Sequence, residues 1–299
     1  MSPIKLNEGP DSVRMLVLET DEPHPDTKES KGSFGDIFNN LFTEAGKEHD
    51  PPLGVETDMH YIVDDPENDH HGHVPHISEI GKDVTAILIT GSMYDAHGDN
   101  PWIQKLIELL TALWKERPDM KFSGVCFGHQ ILARTLGAKV EPTEGGDWEL
   151  AYTKMDLTPL GQRLFRTENR NLSLHQMHQD QVTTVPSPST TSLLSSKDEV
   201  DVWASSDHTK IQGLYIRERL FTSQGHLGFD EKMVRRQIEA RVESGGIKSE
   251  DRAAEAKETA HLKHDGNVVA GAILRFFHGD DRKIEESKTY LGVKIDVEV

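Results

Sequence analysis

Cys126 is the only cysteine among 299 residues, and it lies between two glycines in Gly124-Val125-Cys126-Phe127-Gly128. A G-x-C-x-G that ends an apolar run and opens a helical pattern has the form of a nucleophile elbow, in which small flanking residues permit a sharp turn that exposes the central side chain. Here the run ends at Val125, and Ile131, Leu132 and Leu136 then recur on one helix face. A thiol at a helix N-terminus meets unpaired N–H groups and the positive end of the dipole, which favour thiolate and offer donors to an oxyanion. Cys126 is therefore read as a nucleophile, against the alternative of a buried apolar cysteine. Two further stretches could serve it. Gly91-Ser92-Met93 follows the apolar run 84–90, a place where backbone donors can approach a substrate. His226 ends Gln224-Gly225-His226, about a hundred residues beyond Cys126, and is the type of base a cysteine nucleophile requires. His175 and His178 close another apolar run, where a structural hydrogen-bonding role is the simpler reading.

The elements that must position these residues alternate between strand and helix. Val13 to Leu18 reads as a buried strand, and Ile37, Phe38, Leu41 and Phe42 follow at helical spacing. Thr57 to Val63 and Val84 to Thr90 read as the next strands; Pro101 opens a helix whose apolar face runs from Ile103 to Leu113, and Lys121 to Val125 is the strand that carries the elbow. Such alternation implies an α/β fold with a mostly parallel sheet, flanking helices and functional loops at the carboxyl ends of the strands. Beyond the elbow, 137–140 and 150–155 are expected to form a hairpin or edge excursion around Gly145-Gly146. Leu172 to Met177, Ile211 to Ile216 and Arg219 to Thr222 are further strands, and three helical patterns follow from Asp230 to Phe277. The alternating Val293, Ile295, Val297 and Val299 suit an added edge strand or a homodimer contact. The reading is one domain over 13–243 and a helical extension over 244–299.

Composition narrows the functional classes. With 33 basic against 51 acidic residues, the formal charge is −18, which repels nucleic acid and anionic lipid. No apolar run is long enough to span a bilayer and the first ten residues lack a secretory apolar region, so a cytoplasmic, membrane-free protein is expected. One cysteine permits neither a disulfide framework nor a multi-cysteine zinc site. Four histidines in 70–76 could bind a transition metal, but their polar surroundings read as a solvated loop. No cofactor or metal is expected.

Together, Ile89-Thr90-Gly91-Ser92, Gly124-Val125-Cys126-Phe127-Gly128-His129-Gln130, His178-Gln179-Asp180-Gln181-Val182 and Gln224-Gly225-His226 stand in the order and spacing of class I glutamine amidotransferase-like proteins. The resemblance covers about 13–243 and is closest to free-standing fungal amidotransferase-like proteins and plant γ-glutamyl peptidases. It implies a flavodoxin-like amidotransferase fold, Cys126 as nucleophile and His226 as base. It also implies an oxyanion hole at the Gly91-Ser92 turn and Phe127, with Gln130, His178 and Asp180 lining the substrate pocket. The family's His-Pro-Glu is here His226-Leu227-Gly228, so the carboxylate that orients the imidazole is missing; Asp230 and Glu19 are the candidates to replace it. A thiol depends less on such help than a serine, because it is intrinsically more acidic and nucleophilic.

The activity implied is hydrolysis or transfer at a γ-glutamyl amide of a small molecule, glutamine, glutathione or a glutathione conjugate, through a glutamyl thioester. The competing classes are a binding or regulatory protein that keeps the pocket without turnover, and a cysteine-dependent reaction other than amide hydrolysis on the similar superfold of the intracellular-protease and isocyanide-hydratase branch.

Overall fold

The computed structural model describes residues 5–7 and 11–284. Strand β1 (Lys5–Asn7) and β2 (Asp11–Glu19) are followed by helices α1 (Pro25–Lys31) and α2 (Phe34–Lys47) and by β3 (Leu53–Tyr61). The short β4 (Asp64–Asp65) and β5 (His70–His71) precede β6 (Ala86–Ile89), α3 (Pro101–Glu116), β7 (Lys121–Val125) and α4 (Phe127–Thr135). Next come β8 (Val140–Pro142), β9 (Glu149–Leu157), α5 (Pro159–Phe165), β10 (Asn171–His178), β11 (Asp180–Val182), β12 (Asp201–Ser205), β13 (Gly213–Ile216) and β14 (Leu220–Ser223). Helices α6 (Glu231–Glu243), α7 (Glu250–Thr259) and α8 (Gly266–His278) complete the described chain.

Ten strands form one sheet in the order β1-β3-β2-β6-β7-β14-β13-β12-β9-β10. The five strands β3-β2-β6-β7-β14 run parallel, and every other pairing in the sheet is antiparallel. The sheet is thus mixed: a parallel half carries the elbow, and an antiparallel half extends from it. Burial on both faces explains the near-continuous apolar run of β2. Leu16 and Leu18 enter a core with Ile87 and Ile89, beneath α3 and α4. Met15 and Val17 point the other way and pack with Phe38, Phe42 and the α8 residues Ile273 and Phe277. A third cluster joins Phe34, Met177 and Phe229 to α6 and α7.

Helix α2 begins where Ser33 and Asp36 form a reciprocal capping box, which sets the start of a helix that packs close to the site. Two sequence expectations are corrected. Strand β3 starts at Leu53, four residues earlier than Thr57, because Leu53 and Val55 are buried and pair with Asp11 and Val13 of β2. The segments around Gly145-Gly146 are not a hairpin: β8 pairs with β11, whereas β9 pairs with β10 and β12. The alternating valines at 293–299 lie outside the described residues. No helix among the described residues is long and apolar enough to cross a membrane.

Candidate active site

Cys126 follows the last residue of β7 and caps α4 with φ 53° and ψ −107°, a sparsely populated conformation for a side-chain-bearing residue that costs on the order of 1–3 kcal/mol unless the surroundings hold it. The surroundings do hold it. The Cys126 N–H donates to the Ser223 carbonyl at 2.9 Å, and the Gly128 N–H donates to the Thr90 carbonyl at 3.1 Å. A side chain at Gly124 would be driven into the Gly128 backbone, and one at Gly128 into the Ile89 carbonyl. Both glycines of the motif therefore serve close backbone approach, which lets α4 start directly against β6 and β7.

His226, just past β14, reaches the same point. Its N–H donates to the His175 carbonyl at 2.9 Å. A Cβ added at Gly91 would lie 3.1 Å from His226 Cε1 and 3.5 Å from Cys126 Cβ, so the Gly91 turn lies against both side chains. The Gly91 carbonyl accepts from the Thr20 hydroxyl at 3.0 Å. Because a trans peptide points its N–H opposite to its C=O, this tie turns the Ser92 N–H away from Thr20. Ser92 Oγ accepts from the Tyr94 N–H, which keeps that turn closed. Cys126, His226, Gly91 and Ser92 all line one cleft.

The electrostatics are those of a neutral pair. Burial pushes the Cys126 thiol up to about 12, against the pull of the Phe127 N–H, the Arg241 charge and the Gln224 amide. Burial likewise pushes the His226 imidazole down to about 3, and the neighbouring His178, His175 and His264 add to it. The lowered thiol expected from the helix N-terminus is therefore overturned, because desolvation outweighs the dipole and the donor.

The replacement carboxylates are not at the imidazole. Asp230 caps α6 by accepting from the Met233 N–H at 2.9 Å and pairs with Lys31 at 2.6 Å. Glu19 accepts from the Gly35 N–H at 2.7 Å at the start of α2. Neither nitrogen of His226 has a hydrogen-bond partner among the described residues, and Nε2 is buried. What holds the ring is Phe229, stacked on it with centroids 3.9 Å apart and planes 13° apart. Gly228 leaves room for α2: a Cβ there would stand 3.0 Å from Ile37 Cγ2.

Gln130, His178 and Asp180 come together, but away from the cleft lining. Gln130 Nε2 donates to the Asp180 carbonyl at 2.8 Å and to Gln224 Oε1 at 3.1 Å. His178 bridges the Asp180 carbonyl and Glu149 Oε2, both at 2.9 Å, and the Asp180 carboxylate pairs with His97 at 3.1 Å. This layer backs the site through Gln224 instead of lining the pocket, because its polar groups satisfy one another. The cleft wall is built instead by Phe34 and Phe38 of α2, Phe229, and Met233, Gln237 and Arg241 of α6, together with Asp21. Sequence reasoning missed these; the four-residue spacing of Met233, Gln237 and Arg241 is the signal that could have found them. The histidines of 70–76 do not converge: they pair separately with Tyr61, Asp69, Glu79 and Ser78. Among the described residues, His49, His278 and Asp280 are those whose ligand atoms lie close enough, within 4.8 Å, to hold a metal ion.

Residues 53–241, more than half of the chain, match the family model described as glutamine amidotransferase class-I. The chain belongs to that family. A glutamine amidotransferase-like protein of Schizosaccharomyces pombe is 26% identical over 262 residues, covering 88% of this chain and 97% of the relative. Gamma-glutamyl peptidase 5 of Arabidopsis thaliana is 28% identical over 232 residues, covering 77% and 82%. Among solved structures, a Thermotoga maritima glutamine amidotransferase superposes with a TM-score of 0.59 at 20% identity, covering 91% of this chain and 98% of the other. A Methylobacillus flagellatus glutamine amidotransferase gives 0.60 at 18% identity, covering 90% and 94%. These structural likenesses support the amidotransferase fold alone, with its elbow at the carboxyl end of a parallel strand.

Proposed function

We propose that this class I glutamine amidotransferase family member is a cysteine-dependent hydrolase or transferase acting on a γ-glutamyl amide. The observation that carries the reading is the strained Cys126 sharing one cleft with His226 and the Gly91-Ser92 turn. In this mechanism the resting thiol is neutral and the imidazole is neutral, so His226 is already in the form that accepts a proton. As Cys126 Sγ attacks the amide carbonyl, the thiol proton passes to His226, and the oxyanion that forms is met by the Ser92 and Phe127 N–H groups. The imidazolium then gives its proton to the leaving amine, leaving a glutamyl thioester. Water, deprotonated by the now neutral imidazole, cleaves the thioester and releases glutamate and the thiol; an amine in place of water gives transfer.

Incubation with glutamine, glutathione and glutathione conjugates, with mass-spectrometric detection of glutamate, tests the reading. Wild-type protein should release glutamate from at least one of them, and Cys126→Ala and His226→Ala should abolish release while melting as the parent does. Full activity of either variant would overturn the assignment. A second reading is favoured by one observation, the imidazole that has no carboxylate and lies stacked on Phe229: a binding or regulatory protein that retains the pocket without turnover. Saturable binding of a γ-glutamyl compound with no glutamate released would favour it.

A further inference from the structure

The ends of α2 and α8 meet where Phe42 and Phe277 pack with ring centroids 6.2 Å apart, and three polar side chains gather there that the cleft chemistry does not use. His49 follows the C-cap of α2, its N–H donating to the Gly46 carbonyl at 3.3 Å. His278 is the last residue of α8, and Gly279, at φ 96°, turns the chain so that Asp280 folds back beside it. Asp281 is buried and accepts from the Tyr215 hydroxyl at 2.6 Å, which anchors that turn. The Asp280 carboxylate therefore meets both rings: Oδ2 lies 2.8 Å from His49 Nε2, and Oδ1 lies 3.0 Å from His278 Nδ1. All three residues lie outside the lining of the cleft that holds Cys126.

The other nitrogen of His49 settles the roles. A carbonyl only accepts, so Nδ1, 2.6 Å from the Pro51 carbonyl, carries the ring proton and donates it. Nε2 of the neutral ring then turns a lone pair toward an oxygen of Asp280, and two acceptors at 2.8 Å need a cation to hold them. A second proton on His49 would serve this one contact; a metal ion would serve Nε2, the carboxylate and His278 Nδ1 together. An imidazole whose far nitrogen donates to a backbone carbonyl is also how metal-binding histidines are oriented, because that bond fixes which nitrogen faces the ion. The three ligand atoms lie within 4.8 Å of one another, against separations of about 3.3 Å around a tetrahedral ion with ligands about 2.0–2.1 Å away. The His278 and Asp280 side chains, 32% and 30% exposed, have room to make that adjustment.

We propose that His49, His278 and Asp280 form a structural site for a divalent first-row transition metal of the zinc type, which clips the end of α2 to the end of α8. Two imidazoles and one carboxylate suit such an ion, whereas Mg²⁺ and Ca²⁺ take oxygen ligands. With three protein ligands, water completes the fourth position. His49 and Asp280 stand 231 positions apart, so the site is assembled only by folding, and the energy of binding the ion adds to that of the fold. The site does not depend on the γ-glutamyl chemistry.

The test is calorimetric titration of the full chain, stripped with EDTA and dialysed, with zinc chloride, in a Cys126→Ala background that removes the one thiol able to compete for zinc. One ion should bind per chain, and a large excess of Mg²⁺ should not displace it. Zinc at a hundredfold excess over its Kd should raise the melting temperature by roughly 5 °C. Adding His278→Ala or Asp280→Asn should weaken zinc at least as much as losing a group that merely supports a ligand, tenfold or more, and remove most of the rise, while each variant melts as the parent does in EDTA. Should His278→Ala melt low in EDTA, His278→Gln, closer in size, replaces it. His71→Ala with His73→Ala, in the exposed loop, should change neither reading. No saturable zinc binding, binding that survives both site variants, or binding lost with the loop histidines would overturn the site. Zinc bound through these residues with no rise in melting temperature would overturn the clip, since the unfolded chain would then hold the ion equally well.

Discussion

The single cysteine allows the most direct test of how the site holds its nucleophile. Burial raises the Cys126 thiol from an ordinary 9.0 to about 12. The thiolate population falls tenfold for every pH unit that the solution lies below the thiol's pKa, so at pH 7 roughly one molecule in 10⁵ carries thiolate, against roughly one in 10² for an ordinary thiol. Because only the thiolate alkylates, iodoacetamide should label the folded protein about 10³ times more slowly than the same cysteine in the urea-unfolded chain. Intact-protein mass spectrometry reads the reaction without ambiguity, since one adduct can only be Cys126. The sign follows from the raised value: the labelling rate should climb tenfold per pH unit and still be climbing at pH 10. His226→Ala should not slow it at pH 7, because a neutral imidazole pushed down to about 3 does not stabilise a resting thiolate. A titration midpoint below pH 8, or labelling as fast as in the unfolded chain, would refute the neutral-pair account. It would mean that the Phe127 N–H and Arg241 outweigh desolvation.

Restoring the family's carboxylate by Leu227→Pro with Gly228→Glu should orient the imidazole and raise glutamate release at least tenfold, about 1.4 kcal/mol of transition-state stabilisation. Because a Cβ at 228 meets Ile37 at 3.0 Å, the change is best read in an Ile37→Ala background; a folded variant with no turnover would favour the binding protein. Cys126→Gly should be inactive yet more stable than the parent by about 1 kcal/mol in urea titration: relief of about 1–3 kcal/mol of backbone strain is partly offset by the roughly 0.5–1 kcal/mol entropic cost of glycine. Lower stability would show that losing the buried side chain outweighs any strain released at the φ of 53°.

The motif around Cys126 could be read from sequence because it is local. The glycines flanking it are required by contacts a few residues away or on the adjoining strand, and an apolar run leading into a 3.6-residue period announces the strand and helix on either side. The parallel strands β2, β6 and β7 were legible for the same reason, since burial on both faces leaves an uninterrupted apolar signature. The family resemblance added His226 and the Gly91 turn, whose spacing along the chain carries no distance by itself. The antiparallel half was less legible: strands β8 and β9 look like hairpin partners, but pairing is decided by which neighbours cover each face, and they go to different sheets. The thiol's protonation state belonged to tertiary structure as well. A helix N-terminus argues for a lowered value and burial for a raised one, and only the packed site shows that burial is nearly complete. Asp230 illustrates the same limit. Four residues from His226, it was a natural substitute for the missing carboxylate, yet the fold gives it to the Met233 N–H and Lys31. The rest of the cleft lining was invisible for the opposite reason: Asp21 and Arg241 stand 220 positions apart, and no local pattern can reveal that both line the cleft that holds Cys126.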